Sequence, residues 1–297
     1  MCGIVGLLLR DERLEPDLGR LLVPMFDCMA ERGPDSAGLA VFTRPLAEPL
    51  RRYSLHAVGQ MPDWQRLAAQ LREELHQPAA IQVRDNHALL EWPGEPDVLR
   101  RWLASFSSVR LLGVGRALAV FKDQGNPASI ARRLGFAELA GTHGVGHTRM
   151  ATESAVSPRH AHPFTADGDF CLVHNGSLSN PHLLRRQLEA AGLQFETDND
   201  TEAACRYIAW RLSQGDTLEA ALHAALQTLD GFYTLLIGTA DSLTLLRDPF
   251  ACKPAVVAET SRYVAVSSEF RSLAHLPQIE AARIFEPAPE KVYAWYR

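Results

Sequence analysis

Cys2 places a thiol one residue from the start of the chain, and Gly3 and the apolar run Ile4–Leu9 follow it directly. An initiator methionine is generally trimmed when the second residue is small, so the mature chain is expected to begin with a thiol and a free α-amine on one residue. Such an amine, with a pKa of roughly 7.7–8 against roughly 10.4 for lysine, accepts a proton near neutral pH and can activate the adjacent thiol. The competing reading is that Cys2 starts a buried strand, because cysteine packs as a small hydrophobe. A thiolate attacking a carboxamide also needs donors for the developing oxyanion. Asn175 and Gly176, directly after an apolar strand, offer a side-chain amide and a backbone N–H. The plain alternative for that dipeptide is a hairpin turn. In GHTRMATES, Arg149 and Thr152 lie just past a strand, where a guanidinium clamps a carboxylate and a hydroxyl assists, unless Arg149 is a surface ion pair. Asp198 and Asp200 open a helix in TDNDTE; capping is the ordinary role there, and an aspartate facing a pocket would hold an ammonium group. Arg32, in ERGPDSAG, reads as part of a Gly-Pro turn.

The elements that must position these groups follow from periodicity. A strand is expected over Ile4–Leu9 and a helix within Asp17–Glu31, where Leu18, Leu21, Leu22, Met25 and Met29 recur near helical spacing and Pro24 marks a kink. Residues 44–108 read as an inserted module: helix, strand, an Asp85-Asn86 turn, strand, helix. Strands then lead to Arg149 and Asn175. Helices are expected over Pro181–Ala191, Thr201–Ser213 and Thr217–Leu229, followed by a run of short strands joined by tight turns. Connections that short imply antiparallel sheets with helices packed on their outer faces, an α+β layered sandwich in a single domain, 1–297, with one embellishment.

Composition narrows the function. The 297 residues are 46% hydrophobic and 22% charged, ample for a large core, and the net charge of −5 with no basic stripe argues against nucleic acid or an anionic membrane. No apolar run reaches transmembrane length, and Asp11, Glu12, Arg13 and Glu15 interrupt the N-terminus before a signal-peptide core could form; a cytoplasmic protein acting on a small molecule is expected. Five scattered cysteines, with no C-x-x-C pair, read as reduced thiols, and Cys28, Cys171, Cys205 and Cys252 as core residues. The pairs His143/His147 and His160/His162 have spacings that metal sites use, but no acidic or cysteine ligand groups with either, so no metal is expected.

In this order, MCGIVG, RGPDSAG, GVGHTRMATES, HNG and DTE together resemble the hallmarks of the class II, N-terminal-nucleophile glutamine amidotransferases, and RDPFACKP and SSEFRSL extend the likeness to about residue 275. The resemblance implies a four-layer αββα Ntn-hydrolase sandwich. It implies Cys2 as nucleophile with its own α-amine as base, Asn175 and Gly176 as oxyanion hole, Arg149 and Thr152 on the glutamine carboxylate, and Asp200 on its ammonium. The segment Arg149–Pro158 matches a loop that closes over glutamine, with Met150 where many relatives have tryptophan. About 20 residues follow the matched region, so the ammonia acceptor is expected on another chain. The chain looks most like the stand-alone amidotransferase subunits of glutamate-synthase-like systems, N-methylglutamate synthase in particular. There, separate chains carry an FMN-binding synthase and a scaffold, and no cofactor is expected in this chain. Alternatives are a silent scaffold subunit, an independent amidase, or a hydrolase of γ-glutamyl amides such as γ-glutamylmethylamide.

Overall fold

Strand β1 (Gly3–Leu9) is buried along its whole length, and its side chains divide by parity. Val5, Leu7 and Leu9 join one core cluster, and Ile4 and Leu8 another, as the two-residue period of a strand covered on both faces requires. A computed structural model describes residues 2–151 and 155–297. After β1 come α1 (Leu18–Met29), β2 (Ser36–Phe42), β3 (Arg51–Ala57), α2 (Trp64–Leu75), β4 (Ala80–Arg84), β5 (His87–Trp92), α3 (Pro96–Leu103) and β6 (Val109–Gly115). The middle of the chain forms β7 (Leu118–Gln124), α4 (Pro127–Arg133), β8 (His143–Arg149), β9 (Phe164–Ala166), β10 (Phe170–Leu178), α5 (Pro181–Ala190), α6 (Asp200–Ser213) and α7 (Leu218–Thr228). The last third adds β11 (Gly231–Thr239), β12 (Ser242–Arg247), β13 (Val256–Glu259), β14 (Tyr263–Ser267), β15 (Arg283–Phe285) and β16 (Tyr293–Tyr296).

All strand pairings described are antiparallel. A seven-stranded sheet runs β15-β13-β14-β1-β8-β2-β7, and a five-stranded sheet runs β16-β12-β11-β10-β9. The outer face of the first packs on α1 through Leu18, Leu22, Met25, Phe26 and Met29. Its inner face meets the second sheet, with Ile4, Leu8, Phe42 and Val145 against Val173, Leu236, Leu243 and Leu245. The outer face of the second sheet is covered by α5, α6 and α7, including Leu184, Leu188, Ala204, Ile208 and Leu222. The order is therefore helix, sheet, sheet, helix, the four-layer sandwich expected above. The two sheets approach so closely that a Cβ on Gly6 would lie 2.6 Å from Leu236 Cδ2.

A third, four-stranded sheet of order β4-β5-β3-β6 has its own core around Tyr53, Trp64, Leu71, Trp92 and Leu99. The helices, strands and Asp85-Asn86 turn read from 44–108 are all present there, and β6 adds Val109–Gly115 to the same sheet. Helix α1 carries Pro24 inside its span. Cys171 and Cys205 are core residues, whereas Cys28 is half-buried and Cys252 is exposed, which corrects the expectation for those two. Among the described residues no helix is long and apolar enough to cross a membrane.

The fold buries several imidazoles, among them His87, His143, His147, His162 and His174. Burial pushes His87 down to about 3, His143 to about 4 and His147 to about 3, and lowers His162 and His174 as well. An unfolded histidine takes a proton near pH 6.5 while these folded ones refuse it, so the unfolded state binds more protons between pH 6.5 and about 4. Stability is therefore full above pH 6.5 and falls as pH drops through that window, by up to ~1.4 kcal/mol per pH unit for each such group. Urea midpoints measured from pH 7.5 to 5 are expected to fall steadily from about pH 6.5, where carboxylates are still ionised. A midpoint that stays level until pH 4.5 would contradict this account.

Candidate active site

Cys2 sits at the open end of β1, in the middle of the seven-stranded sheet, where the register pairs Gly3 with Thr148 and so sets Cys2 beside Arg149. The position is tightly walled. A Cβ at Gly3 would lie 2.7 Å from Thr148 Oγ1 and 2.8 Å from Met29 Cβ, and one at Gly33 would lie 2.3 Å from the Thr148 carbonyl carbon. Arg32 Nε donates to the Cys2 carbonyl at 3.1 Å, and Arg32 Nη1 donates to Glu269 Oε1 at 2.6 Å. Glu269 also accepts from Arg271 Nε at 2.6 Å. The Ile4 N–H donates to Ser268 Oγ, and the Ser268 N–H to the Ile4 carbonyl. Arg32 thus belongs to the site rather than to a turn alone, a correction that no local pattern announces because Glu269 is 237 residues away.

The Cys2 thiol points at the Met150 carbonyl, 3.8 Å away. Burial pushes the thiol above its ordinary range; the Arg149 guanidinium opposes this shift and the Asp200 carboxylate adds to it. Arg149 is the last residue of β8 and is itself buried. Its Nη1 donates to the Ala155 carbonyl at 3.0 Å, and its own carbonyl accepts from the Asp35 N–H at 3.0 Å. The Asp35 carboxylate accepts from the Ala151 N–H at 2.8 Å, which pins the exit of β8 from both sides. Thr152 and residues 153–154 of the expected closing loop lie outside the described residues.

Asn175 and Gly176 are not a turn. They lie within β10, paired with Thr234 and Tyr233 of β11. Gly176 has φ +153°, and a Cβ there would lie 1.9 Å from the Phe232 carbonyl, so the strand needs glycine at this point. Asn175 is buried, and its Nδ2 has no hydrogen-bond partner. An orphaned buried amide donor costs about 1–3 kcal/mol.

A network of neutral histidines holds this part of β10. His147 stacks on His162 with ring centroids 4.0 Å apart, and His147 Nε2 donates to the His174 carbonyl at 3.0 Å. The His174 N–H donates to His162 Nδ1 at 3.3 Å, leaving His162 Nε2 to donate to Thr201 Oγ1 at 3.3 Å. The Thr201 hydroxyl in turn reaches His174 Nδ1 at 3.0 Å. His143 stands apart, stacked on Phe42 and donating from Nε2 to the Thr239 carbonyl. Among the described residues, no group of three or more His, Cys, Asp or Glu is placed to hold a metal ion.

The cap of α6 is neither of the aspartates. Asn199 is the N-cap, accepting from the Thr201 N–H at 2.8 Å. Asp200, the first helical residue, accepts from the Leu178 N–H at 2.9 Å through Oδ2, and its Oδ1 is 3.8 Å from His174 Nδ1. Asp198 instead pairs with His160 Nε2 at 2.8 Å and is largely exposed. Cys2, just ahead of β1, lies close enough to Arg149 at the end of β8 and Asp200 at the start of α6 for their charges to act on its thiol, and Asp200 stands 3.8 Å from His174, which precedes Asn175 and Gly176 on β10.

A family signature described as a glutamine amidotransferase domain matches residues 147–275. The chain is 46% identical over 297 residues to the glutamine amidotransferase-like protein GlxB of Rhizobium meliloti (strain 1021), covering 99% of this chain and 98% of that one. It is 43% identical over 105 residues to a glutamine–fructose-6-phosphate aminotransferase (isomerizing) of Shewanella oneidensis, covering 35% of this chain and 17% of the relative. The solved glutamine phosphoribosylpyrophosphate amidotransferase from B. subtilis superposes with a TM-score of 0.65 at 18% identity, over 99% of this chain and 47% of that one. This chain therefore spans about half of that solved enzyme, and the likeness shows that the sandwich is an Ntn-hydrolase-like fold. On its full-length similarity, the chain belongs to the class II glutamine amidotransferases, as a GlxB-like member.

Proposed function

We propose that the chain is a glutaminase subunit that hydrolyses the side-chain amide of glutamine through Cys2 and passes ammonia to a separate synthase subunit. The observation that carries the reading is the buried Asn175 Nδ2, which has no partner of its own and lies beside Gly176 on a strand held rigid from behind. With Met1 removed, the Cys2 α-amine takes the thiol proton and the sulfur attacks the amide carbon. The carbonyl oxygen becomes an oxyanion held by Asn175 Nδ2–H and the Gly176 N–H. Collapse of the tetrahedral intermediate expels the amide nitrogen, which leaves as ammonia with the proton from the α-amine. Water then attacks the thioester, releasing glutamate and restoring the thiol. Arg149, with Thr152, would hold the α-carboxylate and Asp200 the α-ammonium. These opposite charges in the pocket select the amino-acid head of the substrate.

The partner reading is a glutamate-synthase-like or N-methylglutamate synthase complex in the cytoplasm, with FMN on the synthase subunit and a further scaffold subunit. The single-domain organisation, with 44–108 as an inserted module, belongs to the same reading. Its support is the full-length match to a relative described as a glutamine amidotransferase-like protein.

The first test is ammonia release from glutamine by protein whose intact mass lacks Met1. Cys2→Ala is expected to reduce release to background while the protein stays folded. Undiminished turnover by the variant would refute the thiol mechanism, and assays with γ-glutamylmethylamide beside glutamine report whether the pocket accepts an N-substituent. Asn175→Ala tests the oxyanion role separately. Its kcat is expected to fall roughly 10²–10³-fold, with little change in the denaturation midpoint, since the lost amide nitrogen has no hydrogen-bond partner in the resting protein. A kcat within threefold of the parent would exclude that role.

A further inference from the structure

A cavity of about 310 Å³ opens between the third sheet and the edge of the five-stranded sheet, at the lower end of the size range for small-molecule sites. Leu112 from β6 and Phe164 from β9 give it an apolar floor. Its polar wall is unbalanced in charge. Arg100, Arg110, Lys122, Arg159 and Arg206 face three carboxylates, those of Asp167, Glu196 and Glu202.

Two of those carboxylates are already committed. Asp167 is paired with Arg100. Glu202 accepts from the Glu196 N–H at 2.8 Å, the Thr197 N–H at 2.7 Å and the Thr197 hydroxyl at 2.6 Å. Glu202 therefore stands only 3.6 Å from Arg206 Nη2, and Arg206 Nε is buried with no hydrogen-bond partner. Among the described residues, no carboxylate lies within ion-pair distance of Arg110 or Arg159; Arg110 donates to the Val109 carbonyl and Arg159 to the Glu196 carbonyl. Lys122, fully enclosed, donates to the carbonyls of Ala161 at 3.0 Å and Pro163 at 3.2 Å and adds its charge from below. Guanidinium groups converging on an apolar floor, one with a buried unpaired N–H, form a receptor for an acid group on an apolar body.

We propose that this cavity binds a small organic anion, a carboxylate or phosphate on an aromatic or branched body, with the acid between Arg110, Arg159 and Arg206 and the body against Phe164 and Leu112. The inference stands on the cavity alone and does not depend on the amide chemistry proposed for Cys2. Isothermal titration of the full-length protein with phenyl phosphate, benzoate, inorganic phosphate and benzyl alcohol tests it. At least one aromatic anion is expected to bind, inorganic phosphate at least tenfold more weakly, and the neutral alcohol not at all. Benzoate against phenyl phosphate identifies the acid group. Arg206→Gln and Arg110→Gln are each expected to weaken binding by roughly tenfold or more, the loss of one charge-assisted hydrogen bond. Should Arg206→Gln fail to fold, Arg110→Gln remains decisive, because its side chain is exposed and pairs with no carboxylate. No heat from either aromatic anion, binding of inorganic phosphate only, or affinity unchanged in Arg110→Gln would overturn the proposal.

Discussion

The structure depends on one constraint: residue 2 of the chain must be held at the end of a strand in the middle of a seven-stranded sheet. A chain terminus ordinarily frays, because few contacts repay its conformational entropy. Here β1 is flanked by β8 and β14, capped from outside by α1, and pressed from inside by the second sheet. Gly3 lets β1 approach Thr148 and Met29 without a clash, and Arg32 holds the Cys2 carbonyl while Glu269 holds Arg32. The thiol is thereby placed with the accuracy of a sheet rather than the looseness of a terminus.

The second requirement is a polar layer that does not loosen the core. Three imidazoles, His147, His162 and His174, lie behind the oxyanion-hole candidates, and burial keeps them neutral. Neutral histidines present one donor and one acceptor each, so a single pattern of tautomers satisfies the Thr201 hydroxyl and the backbone of β10 together. That network locks the strand just ahead of Asn175, whose buried Nδ2 has no partner, as His147 Nδ1 and His174 Nε2 have none. Asp200 performs two tasks at once, joining the end of β10 to the start of α6 and offering negative charge beside Cys2 and Arg149.

The third sheet adds a core of its own and a polar seam. Arg133 reaches Asp85, Asn86 and Asp123, and Asn86 Nδ2 donates to Asp123 Oδ2 at 2.7 Å, joining the β4-β5 turn to β7. Where the third sheet meets the edge of the five-stranded sheet instead, the cations are not matched by acids, and the cavity lies there. The two junctions of the third sheet thus differ in a physical way: one is satisfied internally and the other carries surplus charge.

Much of this was legible in the sequence. Apolar periodicity located the strands and helices, because parity and helical spacing are local properties, and the order of MCGIVG, GHTRMATES, HNG and DTE pointed to the family and to Cys2, Arg149, Asn175 and Asp200. What only the tertiary structure decided were the partnerships across long sequence separations. Arg32 looked like a turn residue until Glu269 stood beside it, and the Asn-Gly pair looked like a hairpin until β11 paired with it. The cap of α6 fell to Asn199 because Asp200 was already drawn to the Leu178 N–H. Composition could list the arginines of the cavity but not bring them to one wall, since α3, β6 and α6 meet there only after the sheets have stacked. Residue types set which chemistry was available, and packing, which alone controls distance and dehydration, set which of those groups meet.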